Sequence, residues 1–237
     1  MKDMISAGLD RLSLTERVPA TAAETLANYG NLLLEKNQVM NLTAIRDEAG
    51  VARLHMLDCA ALVGLVDFEG KTLIDVGTGA GFPGMVLKSL VPSLQVTLLD
   101  SLGKRVNWLN ELAGQLGLDG VTAIHARAEE QALAKGFRDG FDFATARAVA
   151  DLRLLCELCL PYVKVGGAFL AMKSTESDAE LAGAAHCIKL LGGRVDACHD
   201  YTIPGTDVTH RLVVIRKVAP TLKGYPRKWA KIQKDPL

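Results

Sequence analysis

Hydrophobic positions along the chain change period near residue 70. Before that point they recur at helical spacing. Residues 25–36 place Leu26, Tyr29, Leu33 and Leu34 on one stripe, and residues 51–65 do the same with Leu54, Leu57, Ala61 and Leu62. Ser13-Leu-Thr-Glu16 has the form of a capping box and predicts a helix start. Asn41-Leu-Thr43, followed by Ile45-Arg46-Asp47, breaks the pattern. From residue 72 onward, short apolar runs alternate with helical stretches. Runs at 72–76, 94–99, 121–126, 141–145 and 168–172 predict strands, and 104–116, 151–163 and 177–191 predict helices. The last two runs, 195–203 and 211–218, meet through Pro204-Gly205-Thr206-Asp207 with no helix between them, which predicts an antiparallel hairpin at a sheet edge. The pattern reads as an α/β, Rossmann-like fold. Its mostly parallel seven-stranded sheet ends in an antiparallel hairpin and follows an N-terminal helical extension. The boundaries expected are 1–66 for the extension, 67–219 for the main domain and 220–237 for a tail.

Composition changes this picture little. The 237 residues are 49% hydrophobic and 23% charged, ordinary globular values that set aside fibrous and disordered classes. No apolar run follows Met1-Lys2-Asp3-Met4, and the apolar stretches are strand-length, so neither a signal peptide nor a membrane span is expected. Cysteines 59, 156, 159, 187 and 198 lack disulfide-framework spacing. Cys156-x-x-Cys159 has no second pair to complete a zinc site. Buried thiols in a reducing, cytoplasmic setting are expected, and no metal. Net charge is zero, yet Arg216, Lys217, Lys223, Arg227, Lys228, Lys231 and Lys234 crowd the end against Asp235 alone. That tail reads either as a phosphate-contacting arm or as a solvated terminus. Pro220, Pro226, Trp229 and Pro236 argue that part of it packs or binds something.

The densest chemical signal is Asp75-Val-Gly-Thr-Gly-Ala-Gly-Phe-Pro-Gly84. A strand runs into glycines and a helix opens at Pro83, the order of a nucleotide-cradling loop. Gly79-x-Gly81-x-x-Gly84 fits the dinucleotide fingerprint. Gly77-x-Gly79-x-Gly81 preceded by Asp75 fits the loop of S-adenosyl-L-methionine (AdoMet) methyltransferases. A pyrophosphate wants a helix N-terminus free of anions, so Asp75 disfavours it. The cationic ammonium and sulfonium of AdoMet are attracted by that carboxylate. A terminal reversed hairpin also belongs to class I methyltransferases, whereas dinucleotide folds continue with βαβ units.

Other candidates sit at strand ends, where open α/β sheets bind ligands. Asp100 ends the second strand and reads as a ribose ligand or as a helix cap. Arg127-Ala128-Glu129 follows the third strand and reads as an adenine contact or a solvated turn. Arg147 ends the fourth strand and Lys173 the fifth. His55, Asp58 and Arg53 fall off the apolar stripe of residues 51–65. That segment is either a cap burying one edge of the sheet or a substrate-side lid that turns Asn41, Arg46 and His55 toward the cleft.

Together these residues resemble the RsmG (GidB) family of bacterial small-subunit rRNA guanine-N7 methyltransferases. The likeness is carried by Asn41-Leu-Thr43 with Arg46, His55-x-x-Asp58, the Asp75–Gly84 loop and Asp100-Ser-x-x-Lys-Arg105. It continues through Arg127-Ala-Glu129, Arg147-Ala148 and Tyr225-Pro-Arg-Lys228. The resemblance implies the class I AdoMet-dependent methyltransferase fold, with AdoMet contacts at Gly77, Phe82, Ala128, Glu129 and Arg147, beside the loop residues Asp75, Gly79 and Gly81 and the ribose candidate Asp100. It implies 16S rRNA or the small ribosomal subunit as partner, methylated at a decoding-region loop by a monomer. Where the family commonly ends in a Gly- and Pro-containing segment, this chain has Trp229-Ala-Lys-Ile-Gln. Candidates for RNA contact are Asn41, Arg46, His55, Lys173, Arg211, Arg216, Arg227 and Lys228. Guanine N7 carries a lone pair and no proton, so no catalytic base is assigned. An NAD-dependent oxidoreductase and a non-catalytic rRNA-binding module are the alternatives.

Overall fold

A computed structural model describes residues 1–147 and 150–237. Ala148, named in the family likeness, lies outside the described residues. Seven strands form one sheet: β1 (Thr72–Val76), β2 (Gln95–Asp100), β3 (Val121–His125), β4 (Phe141–Arg147), β5 (Val163–Ser174), β6 (Gly193–Thr202) and β7 (Thr209–Lys217). Their order is β3-β2-β1-β4-β5-β7-β6. Every pairing is parallel except those of β7, which runs antiparallel to both β5 and β6. The expected terminal hairpin is therefore present, with β7 inserted between β5 and β6. Strand order reverses between β1 and β4, which opens a crevice at the carboxyl ends of those strands.

Period-two alternation divides the core into two halves. Leu73, Phe143, Ala168, Leu170, Leu212 and Val214 face one layer of helices, and Ile74, Ala144, Phe169, Ala171, Val213 and Ile215 face the other. Right-handed crossovers place α5 (Gly84–Leu90) and α6 (Gly103–Gln115) on the first face. They place α8 (Leu152–Cys159) and α9 (Asp178–Leu190) on the second. The first face of β4, β5 and β7 is left bare by this rule, and the N-terminal helices cover it. These are α1 (Lys2–Arg11), α2 (Ala22–Met40), α3 (Glu48–Gly50), a wide π-helical stretch Val51–Leu57 and α4 (Asp58–Leu65). They cover a face of the sheet rather than the edge expected from sequence.

Three local expectations change. Ser13 does not begin a helix: it takes a left-handed φ of 56° at the end of α1. Its N–H donates to Asp10 and that of Leu14 to Leu9, and buried Leu14 closes the motif as a hydrophobic contact after the helix end. The helix expected at 151–163 stops at Cys159 and finishes in a 3-10 turn, Leu160–Tyr162, whose Pro161 cannot continue the α-helical ladder. Strand β5 starts at Val163, with a register shift between Phe141 and Phe143 on its neighbour. Residues α7 (Ala128–Gln131) and α10 (Trp229–Lys234) are further short helices. Among the described residues, no helix is long and apolar enough to cross a membrane.

Candidate active site

The glycine loop is held open by backbone bonds to the next strand and by two buried carboxylates. Gly77 N and Thr78 N donate to Leu99 O at 2.8 and 3.1 Å. Gly77 and Gly79 have φ of 70° and 60°, conformations that L side chains rarely adopt. Asp75, fully buried in β1, accepts at Oδ2 from Thr78 Oγ1 (2.7 Å) and Gly84 N (2.9 Å), so it ties strand to helix. Its Oδ1 is buried with no partner among the described residues. Burial raises this carboxyl to a pKa of about 6, opposed by those two hydrogen bonds. Asp100 accepts from Gly79 N at Oδ2 (3.0 Å) and from Leu102 N at Oδ1 (2.9 Å). It thus shapes the turn into α6 and also holds the glycine loop in place.

Two clefts flank the loop. The first, about 140 Å³, lies over β2 and β3 and is lined by Gly77, Asp100, Ala128, Glu129, Leu158 and Trp229 among others. Glu129 is buried and accepts from Arg127 Nε at 3.1 Å. The Arg127 guanidinium in turn lies 5.2 Å over the Trp229 ring. Trp229 arrives from the tail, where Arg227 forms a multidentate pair with buried Glu157, its Nη2 2.6 Å from Oε2.

The second cleft, about 360 Å³, lies on the β4 and β5 side and is lined by His55, Asp58, Arg147, Lys173, Glu180 and His210 among others. Asp58 is its hub. Buried at the start of α4, it accepts from Arg147 Nη1 (3.2 Å), Tyr201 Oη (2.9 Å) and His210 Nδ1 (2.8 Å). Arg147 Nη1 also donates to Leu54 O, and its Nη2 lies 3.0 Å from His55 Nδ1. His55 Nδ1 also lies 3.1 Å from Leu54 O, and Nε2 lies 2.7 Å from Thr43 Oγ1, so the ring is held by contacts at both nitrogens. Burial and the Arg147 charge lower His55 to a pKa of about 4, so it is neutral at pH 7. The hydrogen bond to Asp58 raises His210 above its ordinary value. Phe82 lies under this group, stacked on Tyr29 and His55 with the Arg147 guanidinium 4.7 Å from its ring. The π-helical stretch that carries His55 is of a kind that recurs at functional sites.

The remaining sequence candidates are distributed unevenly. Gly79 has open space where a side chain would grow. Gly81 faces the core instead: a Cβ there would meet Tyr29 Oη, Met85 and Leu109 at 2.6–3.0 Å. Lys173 lines the second cleft, held by Glu180 at 2.6 Å. Arg211 is engaged by Asp200 and Asp178, Arg216 by Asp196 and Gly166 O, and Arg227 by Glu157. Those three guanidiniums are occupied by the chain's own acceptors. Asn41, Arg46 and Lys228 are exposed and do not line either cleft. Sequence reasoning left Tyr201 and His210 unnoticed and named Asp58 and Trp229 without placing them in a site. For Asp58 the signal was His55-x-x-Asp58; for Trp229 it was an aromatic in a chain with 5% aromatic residues. Among the described residues, no group of three His, Cys, Asp or Glu side chains could hold a metal ion.

A family model described as GidB, rRNA small subunit methyltransferase G, matches residues 22–205, from α2 through the turn of the terminal hairpin. The chain belongs to the GidB family. Among its GidB relatives, the ribosomal RNA small subunit methyltransferase G of Clostridium perfringens (strain 13 / Type A) is 45% identical over 210 residues, 88% of each chain. That of Alkaliphilus oremlandii is 42% identical over 239 residues, covering 100% of this chain and 99% of the relative. Solved structures resemble the GidB chain in fold. A predicted O-methyltransferase from Agrobacterium tumefaciens matches with a TM-score of 0.54 at 19% identity, over 70% of this chain and 81% of that one. A SAM-dependent O-methyltransferase from Thermotoga maritima matches at 0.52 and 18% identity, over 81% and 73%. The sheet order with antiparallel β7 is the class I methyltransferase arrangement, so the α/β expectation holds at the level of topology.

Proposed function

We propose that this protein transfers the methyl group of AdoMet to N7 of a guanine in 16S rRNA, in a loop of the decoding region, acting as a cytoplasmic monomer. The observation that carries the reading is the pair of clefts across one glycine loop, with the partnerless Asp75 Oδ1 buried beneath it. An orphaned buried carboxylate oxygen calls for a donor, and a cationic ammonium suits it better than a pyrophosphate. The first cleft fits an adenosine: Asp100 is at hand for the ribose hydroxyls, Glu129 and the Ala128 backbone for the base edge, and Leu158 with Trp229 for its faces. The cofactor supplies an electrophilic methyl on sulfonium.

The residues of the second cleft then have to orient a guanine and exclude water, because N7 needs no deprotonation. Neutral His55, Arg147 fixed by Asp58, and Lys173 paired with Glu180 form a wall of set hydrogen-bonding groups rather than a free base. Preset charges of this kind suit a reaction in which positive charge moves from sulfur to the purine. The major-groove edge that bears N7 is hard to reach in A-form RNA, so the target base is splayed or in a loop. An oxidoreductase is disfavoured by Asp75 beneath the loop. The deciding experiment incubates the protein with methyl-labelled AdoMet and small subunits from cells lacking its gene. Label in N7-methylguanosine supports the reading, and RNA bound without label supports the non-catalytic alternative.

A further inference from the structure

Every arginine from Arg105 to Arg227 has a carboxylate of this chain within 4.0 Å. Arg11, Arg17, Arg46 and Arg53 have none among the described residues, and all four belong to the N-terminal helices and their connections. Arg17 donates to Val63 O; the side chains of Arg11, Arg46 and Arg53 have no hydrogen-bond partner among the described residues. In a chain whose acids and bases balance at 27 each, this is an uneven placement of free guanidinium.

Two of the four converge. Arg11 at the end of α1 and Arg53 in the π-helical stretch both line a cavity of about 160 Å³ closed by Met4, Gly8, Leu57 and the hairpin turn Pro204-Gly205. The point where a side chain would begin on Gly205 is 3.4 Å from Arg53 Nε and 3.7 Å from Arg11 Nη1, so the two nitrogens are no more than about 7 Å apart. Arg53 is half-buried there, while Gly205 is exposed with φ of 77° and adds no side chain to the cavity. Two like charges in this position are complemented by an anion between them. At a separation of no more than about 7 Å, both guanidiniums can reach one tetrahedral phosphate through charge-assisted bonds of about 2.8 Å, and arginine forks suit its geometry.

Chain neighbours of residues in two of its walls line or support the second cleft. Arg53 precedes Leu54 and His55 on the same helical turn, and the hairpin that carries Gly205 also supplies Tyr201 and His210 to Asp58. We infer that Arg11 and Arg53 form a phosphodiester-binding site. It grips the RNA backbone next to the nucleotide in the second cleft, so the N-terminal helices rather than the tail arginines are the backbone-reading face. This rests on the rRNA reading above.

The test compares wild type with Arg11→Gln/Arg53→Gln and with Arg11→Lys/Arg53→Lys. Binding is measured across a salt series to unmodified 16S rRNA and to small subunits from cells lacking the gene, alongside methyl transfer, AdoMet affinity and Tm. The glutamine pair is expected to weaken RNA binding about tenfold and to flatten the log K against log salt slope by about 1. KM for RNA rises, while AdoMet affinity and Tm stay unchanged. The lysine pair keeps most of the slope, because the charge remains. A glutamine pair with wild-type slope and KM, in a protein that methylates RNA, overturns the phosphate site and leaves the rRNA reading standing. Parallel loss of Tm and AdoMet binding also overturns it, assigning the arginines to folding. Wild type that neither binds nor methylates either RNA brings down the rRNA reading and this inference with it.

Discussion

Asp75 links cofactor binding to pH. Burial raises its carboxyl from 3.8 to about 6. At about 1.4 kcal/mol per pKa unit, keeping it ionised at neutral pH costs the cofactor-free fold about 3 kcal/mol. In the unfolded chain it protonates near 3.8 and in the folded chain near 6. The folded state therefore binds more protons between those values, and this group's contribution to stability rises as pH falls through about 6. A bound ammonium reverses the preference, since it favours the carboxylate. Roughly nine-tenths of Asp75 is ionised at about pH 7 and one-tenth at about pH 5, so AdoMet affinity is expected to fall about tenfold over that interval. The amino group of the ligand, with a pKa of about 7.7–8.0, stays protonated throughout. Calorimetric titration at three pH values, in two buffers of different ionisation enthalpy, reads both the affinity and the proton release. Release of about half a proton near pH 6 is expected, and Asp75→Asn abolishes both the release and the pH dependence. Equal affinities at about pH 5 and 7, with no proton released, refute the placement of a cation against Asp75.

Other expectations concern the loop, the tail and its anchor. Gly79→Val places a branched side chain in the open space above the loop at a φ of 60°; AdoMet binding is abolished by calorimetry, while urea unfolding shifts by only about 1–2 kcal/mol. Trp229→Ala weakens AdoMet binding by about 1–3 kcal/mol, the range for a lost stacking platform. Because Trp108, the other tryptophan, is buried, quenching of the half-buried Trp229 emission by AdoMet disappears in the same variant; unchanged affinity removes Trp229 from the site. Arg227→Ala leaves Glu157, 0% exposed, without its ion partner and destabilises the fold by about 3–5 kcal/mol in urea. Arg227→Ala unfolding like wild type contradicts an anchored tail.

The sheet was legible because short apolar runs alternate with helical stretches: six of the seven strands begin within two residues of expectation, and β5 begins five residues early, at Val163. The misread element was local as well. Serine serves both as an N-cap and, in left-handed conformation, as the residue after a helix, and only the burial of Leu14 decides between them at Ser13. What the sequence hides is pairing over distance. Tyr201 and His210 reach Asp58 across 143 and 152 positions, and Arg227 reaches Glu157 across 70. Read singly, Arg211, Arg216 and Arg227 are free cations at a basic end; the antiparallel register brings Asp200 opposite Arg211 and spends that charge inside the protein. The pairing of Arg11 with Arg53 gives no signal in one dimension, since their meeting point is a hairpin turn far along the chain.

The central claim is that the two clefts bring a sulfonium methyl to a guanine N7 in ribosomal RNA. Chemical mapping of N7-methylguanosine in small-subunit rRNA, from cells with the gene, without it, and complemented with either wild type or Gly79→Val, tests it directly. One modified position that vanishes on deletion, returns with wild type and stays absent with Gly79→Val is the result expected. Identical maps in all four strains contradict the account.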